Sequence, residues 1–201
     1  MITEKEKSLQ GYMYNPGENS LVKDREIAKD LYFEYNHTRP SNNEKRTEIM
    51  KKLLGEIKGN FLIEQPFYCT YGYNISIGDN FFANLDCTIS DGAKVTIGDN
   101  VFFAPHVSFL TEGHAFLPEL RNEGWEYAYP ITVGNNVWIC ANVSILPGVT
   151  IGDNCIIGAG SVVTKDIPSD VLAYGNPCRV IRPITEEDKD KFKWFNDDGQ
   201  K

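Results

Sequence analysis

Three histidines, His37, His106 and His114, are the side chains of this 201-residue chain whose ordinary titration lies near neutral pH. His37 closes a helical stretch in Tyr35-Asn36-His37-Thr38, where capping or packing accounts for it. His106 falls inside a regular repeat, on a slot expected to face outward. His114, in Thr111-Glu112-Gly113-His114, stands where the repeat is interrupted, on an insertion of the kind that tends to carry functional groups, with a surface or packing histidine as the alternative. Charge singles out a second set. Between Arg121 and Lys189 the basic residues are Lys165, Arg179 and Arg182, inside an otherwise acidic half. Basic groups kept at one end of an acidic body suit a local polyanion such as a nucleotide phosphate. The cysteines Cys69, Cys87, Cys140, Cys155 and Cys178 form no CxxC pair and are odd in number, so they read as plain thiols. Their spacing with the histidines offers no zinc site, and no metal is expected.

These groups must be carried by two kinds of element. Residues 1–60 read as a helical cap. Leu21, Ile27, Ala28, Leu31 and Tyr35 recur at helical spacing with charges between them. A second helix is expected to start at Ser41, from the capping box Ser41-Asn42-Asn43-Glu44, and to end around Gly55 to Gly59 with Ile49, Met50, Leu53 and Leu54 inward. From residue 61 the period changes to six. Val133, Ile139, Ile145, Ile151, Ile157 and Val163 follow one another without a break, and Ile63-Cys69-Ile75, Ile77-Ala83-Ile89 and Ile97-Phe103-Phe109 share the spacing. Six residues per flat side and about eighteen per coil describe a parallel β-helix of triangular section. Roughly five coils fit between 61 and 168, with a loop protruding at about 111–130. Glycine at 78, 98, 134, 152 and 158 is expected to supply positive φ at the corners. Residues 169–201 form an extension, with a terminal helix capped at Thr185-Glu186-Glu187-Asp188. An antiparallel sandwich would not hold a six-residue register over thirty positions.

Composition limits the function. A net charge of -8 argues against a nucleic-acid binder. With 41% hydrophobic and 24% charged residues the chain is an ordinary globular one. It has no apolar run of membrane-helix length and no apolar signal segment, so a cytoplasmic location is expected.

Taken together, YNHTRPS, CTYGYNISIGDNFFANLDCTI, the Gly113-His114 pair, PITVGNNVWI and ILPGVTIGDNCIIGAGSVVTKDIP followed by GNPCRVIR resemble the maltose/galactoside O-acetyltransferases, a family of hexapeptide-repeat acyltransferases. The resemblance covers about residues 4–184. It implies a left-handed parallel β-helix assembled as a homotrimer, with acetyl-CoA as co-substrate in the groove between neighbouring subunits. It assigns His114 as general base and Asn84 to the acceptor pocket, where the amide could serve the developing oxyanion. It places Ala141 and Ala159 along the pantetheine arm, Thr164 and Lys165 near the distal end of the cofactor, and Arg179 and Arg182 close to its phosphates. On the acceptor side it singles out Asn15, Thr70, Asp91, Gly92 and Glu126. Here the chain departs from the galactoside type, with Asn15 and Gly92 where acidic residues are usual, a different residue at Glu126, and Ala115 where proline follows the histidine. The reaction implied is transfer of acetyl to a hydroxyl of a sugar such as maltose, glucose or a galactoside. An amine or antibiotic hydroxyl as acceptor, or a catalytically silent β-helix binding protein, are the competing readings. A metal-dependent hydratase of similar fold fits poorly, because His106 and His114 are eight residues apart where that class has five.

Overall fold

A computed structural model describes residues 2–192. Helix α1 (Glu4–Leu9) begins at a capping box in which Thr3 and Glu6 exchange side-chain and backbone hydrogen bonds. Helix α2 spans Asn19–His37 and buries Leu21, Ala28 and Tyr35, one residue every seven. Ile27, expected inward, is exposed, because it lies about 100° around the helix from that stripe. Helix α3 spans Asn43–Leu53 and buries Ile49, Met50 and Leu53, with Leu54 just beyond. Its cap is Asn42 rather than Ser41: the Asn42 carboxamide accepts from Lys45 N–H, and the helix stops at Leu53, short of Gly55. Arg46 fastens this cap to the coil, donating to the Ile63 carbonyl at 2.6 Å and to Glu64 at 3.2 Å.

From Glu56 onward the chain winds into a parallel β-helix of about six turns. The count exceeds the five expected because strands at Glu56–Ile57 and Val171–Tyr174 extend the coil at both ends. Three parallel sheets form its sides. One stacks Phe61–Ile63, Phe81–Ala83, Phe102–Phe103, Trp138–Ile139, Ile156–Ile157 and Val171–Tyr174 in continuous register. The six-residue columns are the core: Val133, Ile139, Ile145, Ile151, Ile157 and Val163 are each at most 1% exposed. Small residues fill the narrow corners between them, such as Val101, Val137, Val143 and Ser161.

The corners depend on asparagine, not on the glycines expected to supply the positive φ. Asn80, Asn100, Asn136 and Asn154, two residues after each glycine, hold φ between 54° and 57°, and Asp170 continues the column at 64°. Asparagine tolerates this left-handed region better than other side chains bearing a Cβ. Its carboxamides also bond from coil to coil, Asn80 to Asn100 at 2.9 Å, Asn100 to Asn136 at 3.1 Å and Asn136 to Asn154 at 2.9 Å. The glycines serve close approach instead. A Cβ on Gly98 would lie 2.6 Å from the carbonyl oxygen of Gly134 in the next coil. A second corner puts Asp86, His106, Asn142 and Gly160 at positive φ, so His106 is an outward corner residue.

Two departures leave the coil. Residues 111–130 form a hairpin of Glu112–His114 against Glu126–Ala128, with the short helix α4 (Pro118–Asn122) at its tip. After the last coil, Arg179–Pro183 returns antiparallel along Val171–Tyr174. The capped terminal segment is a 3-10 turn over Glu186–Lys191, and the rest of the expected terminal helix lies outside the described residues.

Candidate active site

Side chains alternate across the hairpin strands, and that alternation separates two clefts. Glu112, His114 and Glu126 face a polar cleft of about 710 Å³, completed by Tyr14, Asn15 and Arg25 from the N-terminal segment and by Thr70, Tyr71 and Ser90 from the coil. Ala115 and Tyr127 face the opposite way, into an apolar groove of about 560 Å³ that Leu146, Pro147 and Thr164 also line. Ala115, which replaces the proline of the resemblance, is buried and keeps its N–H for the Trp125 carbonyl at 3.3 Å.

In the polar cleft His114 is 57% exposed, and its Nε2 stands 3.8 Å from Oε1 of Glu126. The other oxygen of Glu126 accepts from the Tyr14 hydroxyl at 2.9 Å. Burial and this neighbouring carboxylate push the Tyr14 phenol well above its ordinary range, so it stays a donor. Arg25 donates to the Tyr71 hydroxyl at 2.9 Å. Thr70 shares a hydrogen bond with Ser90 at 3.0 Å, within reach of a ligand.

The other residues expected on the acceptor side fall differently. Asp91 is fully buried and lines no cleft; it accepts from the backbone N–H groups of Thr70 (3.0 Å), Tyr71 (2.8 Å) and Asn74 (3.2 Å). Burial raises its pKa to about 6, against the lowering effect of those bonds. Gly92 is also buried, and the space a side chain there would need is taken by Glu112, whose Cγ lies 2.3 Å from a Cβ built at 92. Glu112 itself lines the cleft. Asn84 does not join His114 within this chain. It borders a hollow with Phe82, Phe102, Phe103, Ala104 and Trp138. Its Oδ1 accepts from Leu85 N–H at 2.8 Å, leaving the Nδ2 group to donate.

Of the residues expected on the cofactor side, Ala141, Ala159, Thr164 and Lys165 lie on the later coils, and Arg179 and Arg182 on the strand that returns after them. Ala141 and Ala159 are stacked one coil apart, the Ala141 carbonyl accepting from Gly160 N–H at 2.9 Å. Leu85 and Pro105 precede them in the same column and Gly175 follows, so the corner narrows to a smooth track where a thin amide-bearing chain can lie. Among the described residues Lys165 and Arg179 carry no ion pair. Arg182 does: it holds Asp188 by two hydrogen bonds of 2.8 Å, which keep that carboxyl well below the usual range. Among the described residues no group of three or more His, Cys, Asp or Glu is placed to hold a metal, and no helix is long and apolar enough to cross a membrane.

A parallel β-helix of six-residue repeats, a helical cap and a histidine presented by a loop over a polar cleft define a hexapeptide-repeat acyltransferase. Residues 7–59 match the maltose acetyltransferase hexapeptide capping motif, and residues 130–165 match the bacterial transferase hexapeptide model of six repeats. The chain is 49% identical over 192 residues to the galactoside O-acetyltransferase of Escherichia coli K12, covering 96% of this chain and 94% of that one. It is similar to the crystal structure of a maltose O-acetyltransferase from Clostridium difficile 630, at 51% identity and TM-score 0.89, over 92% of this chain and 98% of that one. A galactoside acetyltransferase in complex with coenzyme A superposes with TM-score 0.90 at 48% identity, over 98% of each chain. The chain belongs to the maltose/galactoside O-acetyltransferase family. It is an acetyl-CoA-dependent O-acetyltransferase.

Tyr14, Tyr71, Arg25 and Glu112 line the cleft without having been singled out by the sequence. Tyr14 and Arg25 lie in the segment matched by the capping motif, so the cap lines the polar cleft as well as packing against the coil.

Proposed function

We propose that this enzyme moves acetyl to a hydroxyl of a sugar such as maltose, glucose or a galactoside, with His114 as general base. The observation that carries it is the position of His114, exposed at a polar cleft lined by hydroxyl, amide and carboxylate groups suited to a sugar. Acetyl-CoA supplies the activated acyl group as its thioester. His114 takes the proton from the acceptor hydroxyl as that oxygen bonds to the acyl carbon, and returns it to the departing sulfur as the C–S bond breaks. Asn15, Thr70 and Glu126 hold the acceptor in the cleft, over a floor that Asp91 and Gly92 shape from below. Ala141 and Ala159 bind the pantetheine arm, with Thr164 and Lys165 near the distal end of the cofactor and Arg179 and Arg182 close to its phosphates.

The active unit is a homotrimer, and Asn84 reaches the reacting centre from a neighbouring subunit. Two features support this. Asn84 is absent from its own chain's cleft. In addition, an outward row of Leu62, Phe82, Phe102, Trp138, Ile156 and Leu172 runs up one sheet, with Leu62, Phe102 and Trp138 each more than 40% exposed. Such a row calls for a partner. The enzyme works in the cytoplasm, in keeping with its five free thiols.

A second reading, an acceptor bearing an amine, is favoured by three carboxylates, Glu112, Glu123 and Glu126, facing the same cleft as the single Arg25. The deciding experiment is free-thiol release from acetyl-CoA with maltose, glucose, a galactoside, an amino sugar and a hydroxylated antibiotic, beside His114→Ala. Sugar turnover that falls about 10²- to 10⁴-fold in the variant, with KM for acetyl-CoA unchanged, is expected. Equal turnover in variant and wild type would remove His114 from the mechanism.

A further inference from the structure

Tyr14 forms an isolated antiparallel bridge with Glu126: its N–H donates to the Glu126 carbonyl at 2.9 Å, and Glu126 N–H donates back at 3.1 Å. Glu126 is in turn the cross-strand partner of His114. Tyr14, Glu126 and His114 therefore form one row across three adjacent antiparallel segments, and residues in such a row project to the same face. On that face the Tyr14 hydroxyl donates to Oε2 of Glu126 at 2.9 Å, while Oε1 stands 3.8 Å from Nε2 of His114. The Tyr14 ring is 1% exposed, packed with Leu21, Tyr71, Ala93 and Ala128. The hydroxyl has no freedom to swing away, and the Glu126 carboxylate has no other hydrogen-bond donor among the described residues. Arg25, the cation of the cleft, is committed to Tyr71.

We propose that Tyr14 is a positioning residue for the transfer reaction: its hydroxyl ties down one oxygen of Glu126 and aims the other at the imidazole of His114. There the carboxylate steadies the positive charge that the ring carries between taking the acceptor's proton and returning it. The role rests on His114 being the general base. It makes the N-terminal segment part of the catalytic apparatus, since the tyrosine acts across 112 residues of sequence.

The test compares Tyr14→Phe, Glu126→Gln, the double variant and His114→Ala in the full-length protein, by steady-state thiol release on an acceptor the wild type uses. Phenylalanine keeps the ring and its packing, so Tyr14→Phe is expected to stay fully folded at the assay temperature, its melting point lowered only by the lost hydrogen bond. Its kcat is expected to fall about 10- to 100-fold, the usual worth of a hydrogen bond to a charged group, with KM for acetyl-CoA unchanged. Glu126→Gln is expected to lose at least as much, and the double variant no more than Glu126→Gln alone, because the tyrosine acts only through that carboxylate. A wild-type kcat in Tyr14→Phe, or defects that multiply in the double variant, overturns the proposal. So does a loss of rate confined to partly unfolded protein. If His114→Ala is dead while Tyr14→Phe is fully active, the tyrosine's role fails and the general base stands. If His114→Ala turns over normally, both fail.

Discussion

Lys165, Arg179 and Arg182 look alike in the sequence but differ in the folded protein, because Arg182 spends its two terminal nitrogens on Asp188. Lys165→Ala and Arg179→Ala are each expected to raise KM for acetyl-CoA several-fold with kcat nearly intact, as loss of uniform binding does. Arg182→Ala is expected to raise it least, and initial-rate kinetics at saturating acceptor would rank the three. A kcat loss at unchanged KM would give the cluster another role. Asp91 carries a pH signature. Burial raises its carboxyl to about 6, against an ordinary value near 3.8, so the folded state binds the proton more tightly than the unfolded one. Its contribution to stability is complete below pH 4 and is lost as pH rises through 6. The loss is on the order of 3 kcal/mol at the usual 1.36 kcal/mol per unit. Asp91→Asn is expected to flatten this part of the stability profile between pH 4 and 7, measured by urea unfolding. An unchanged slope would mean that Asp91 ionises as an ordinary carboxyl does. At this scale the placing of His114 off the coil was legible because it stands outside the repeat. Tyr14 was not, since a tyrosine in Gly11-Tyr12-Met13-Tyr14-Asn15 belongs to no period and its partner is remote in the chain.

Four successive coils repeat one solution to turning a corner: glycine where successive backbones nearly touch, an acid or amide next, then asparagine at positive φ. Asp79, Asp99, Asn135 and Asp153 form the middle column, the side chain of each later member accepting from the backbone N–H of the one before, at 2.6 to 2.8 Å. The periodicity located these corners correctly but misassigned the strained residue, because spacing shows where the chain turns and not which of three adjacent residues takes the unusual φ. Gly98→Ala is expected to cost about 1–3 kcal/mol, the range for overpacking an interior, because the new methyl would meet the Gly134 carbonyl at 2.6 Å. Thermal unfolding would measure it, and an unchanged midpoint would show that adjacent coils can separate at little cost. The shift of the α3 cap from Ser41 to Asn42 has a similar origin, since either side chain could serve and the contacts of Arg46 with the coil choose the start.

For the whole molecule, the proposed trimer joins what one chain leaves apart, Asn84 and His114. Trp138→Glu would place a charge in the middle of the outward row of Leu62, Phe82, Phe102 and Ile156 while leaving the inward Ile139 column untouched. Light scattering is expected to show monomers, with activity lost alongside assembly. A folded, fully active trimer from that variant would place the subunit contact on another face.

What the sequence determined by itself was the coil, the helical cap, the position of the break and the placing of His114 on that break, apart from the cations. All of these follow from short-range periodicity or from local departures from it, which a linear reading can detect. Only the tertiary structure decided that Asp91 lies under the cleft rather than in it, that Glu112 fills the space above Gly92, and that Asp188 engages Arg182. It alone joined Tyr14 to Glu126. Those are contacts between segments that no period relates, and they come into being only when the coil's stacking and the hairpin's register bring distant residues to the same face.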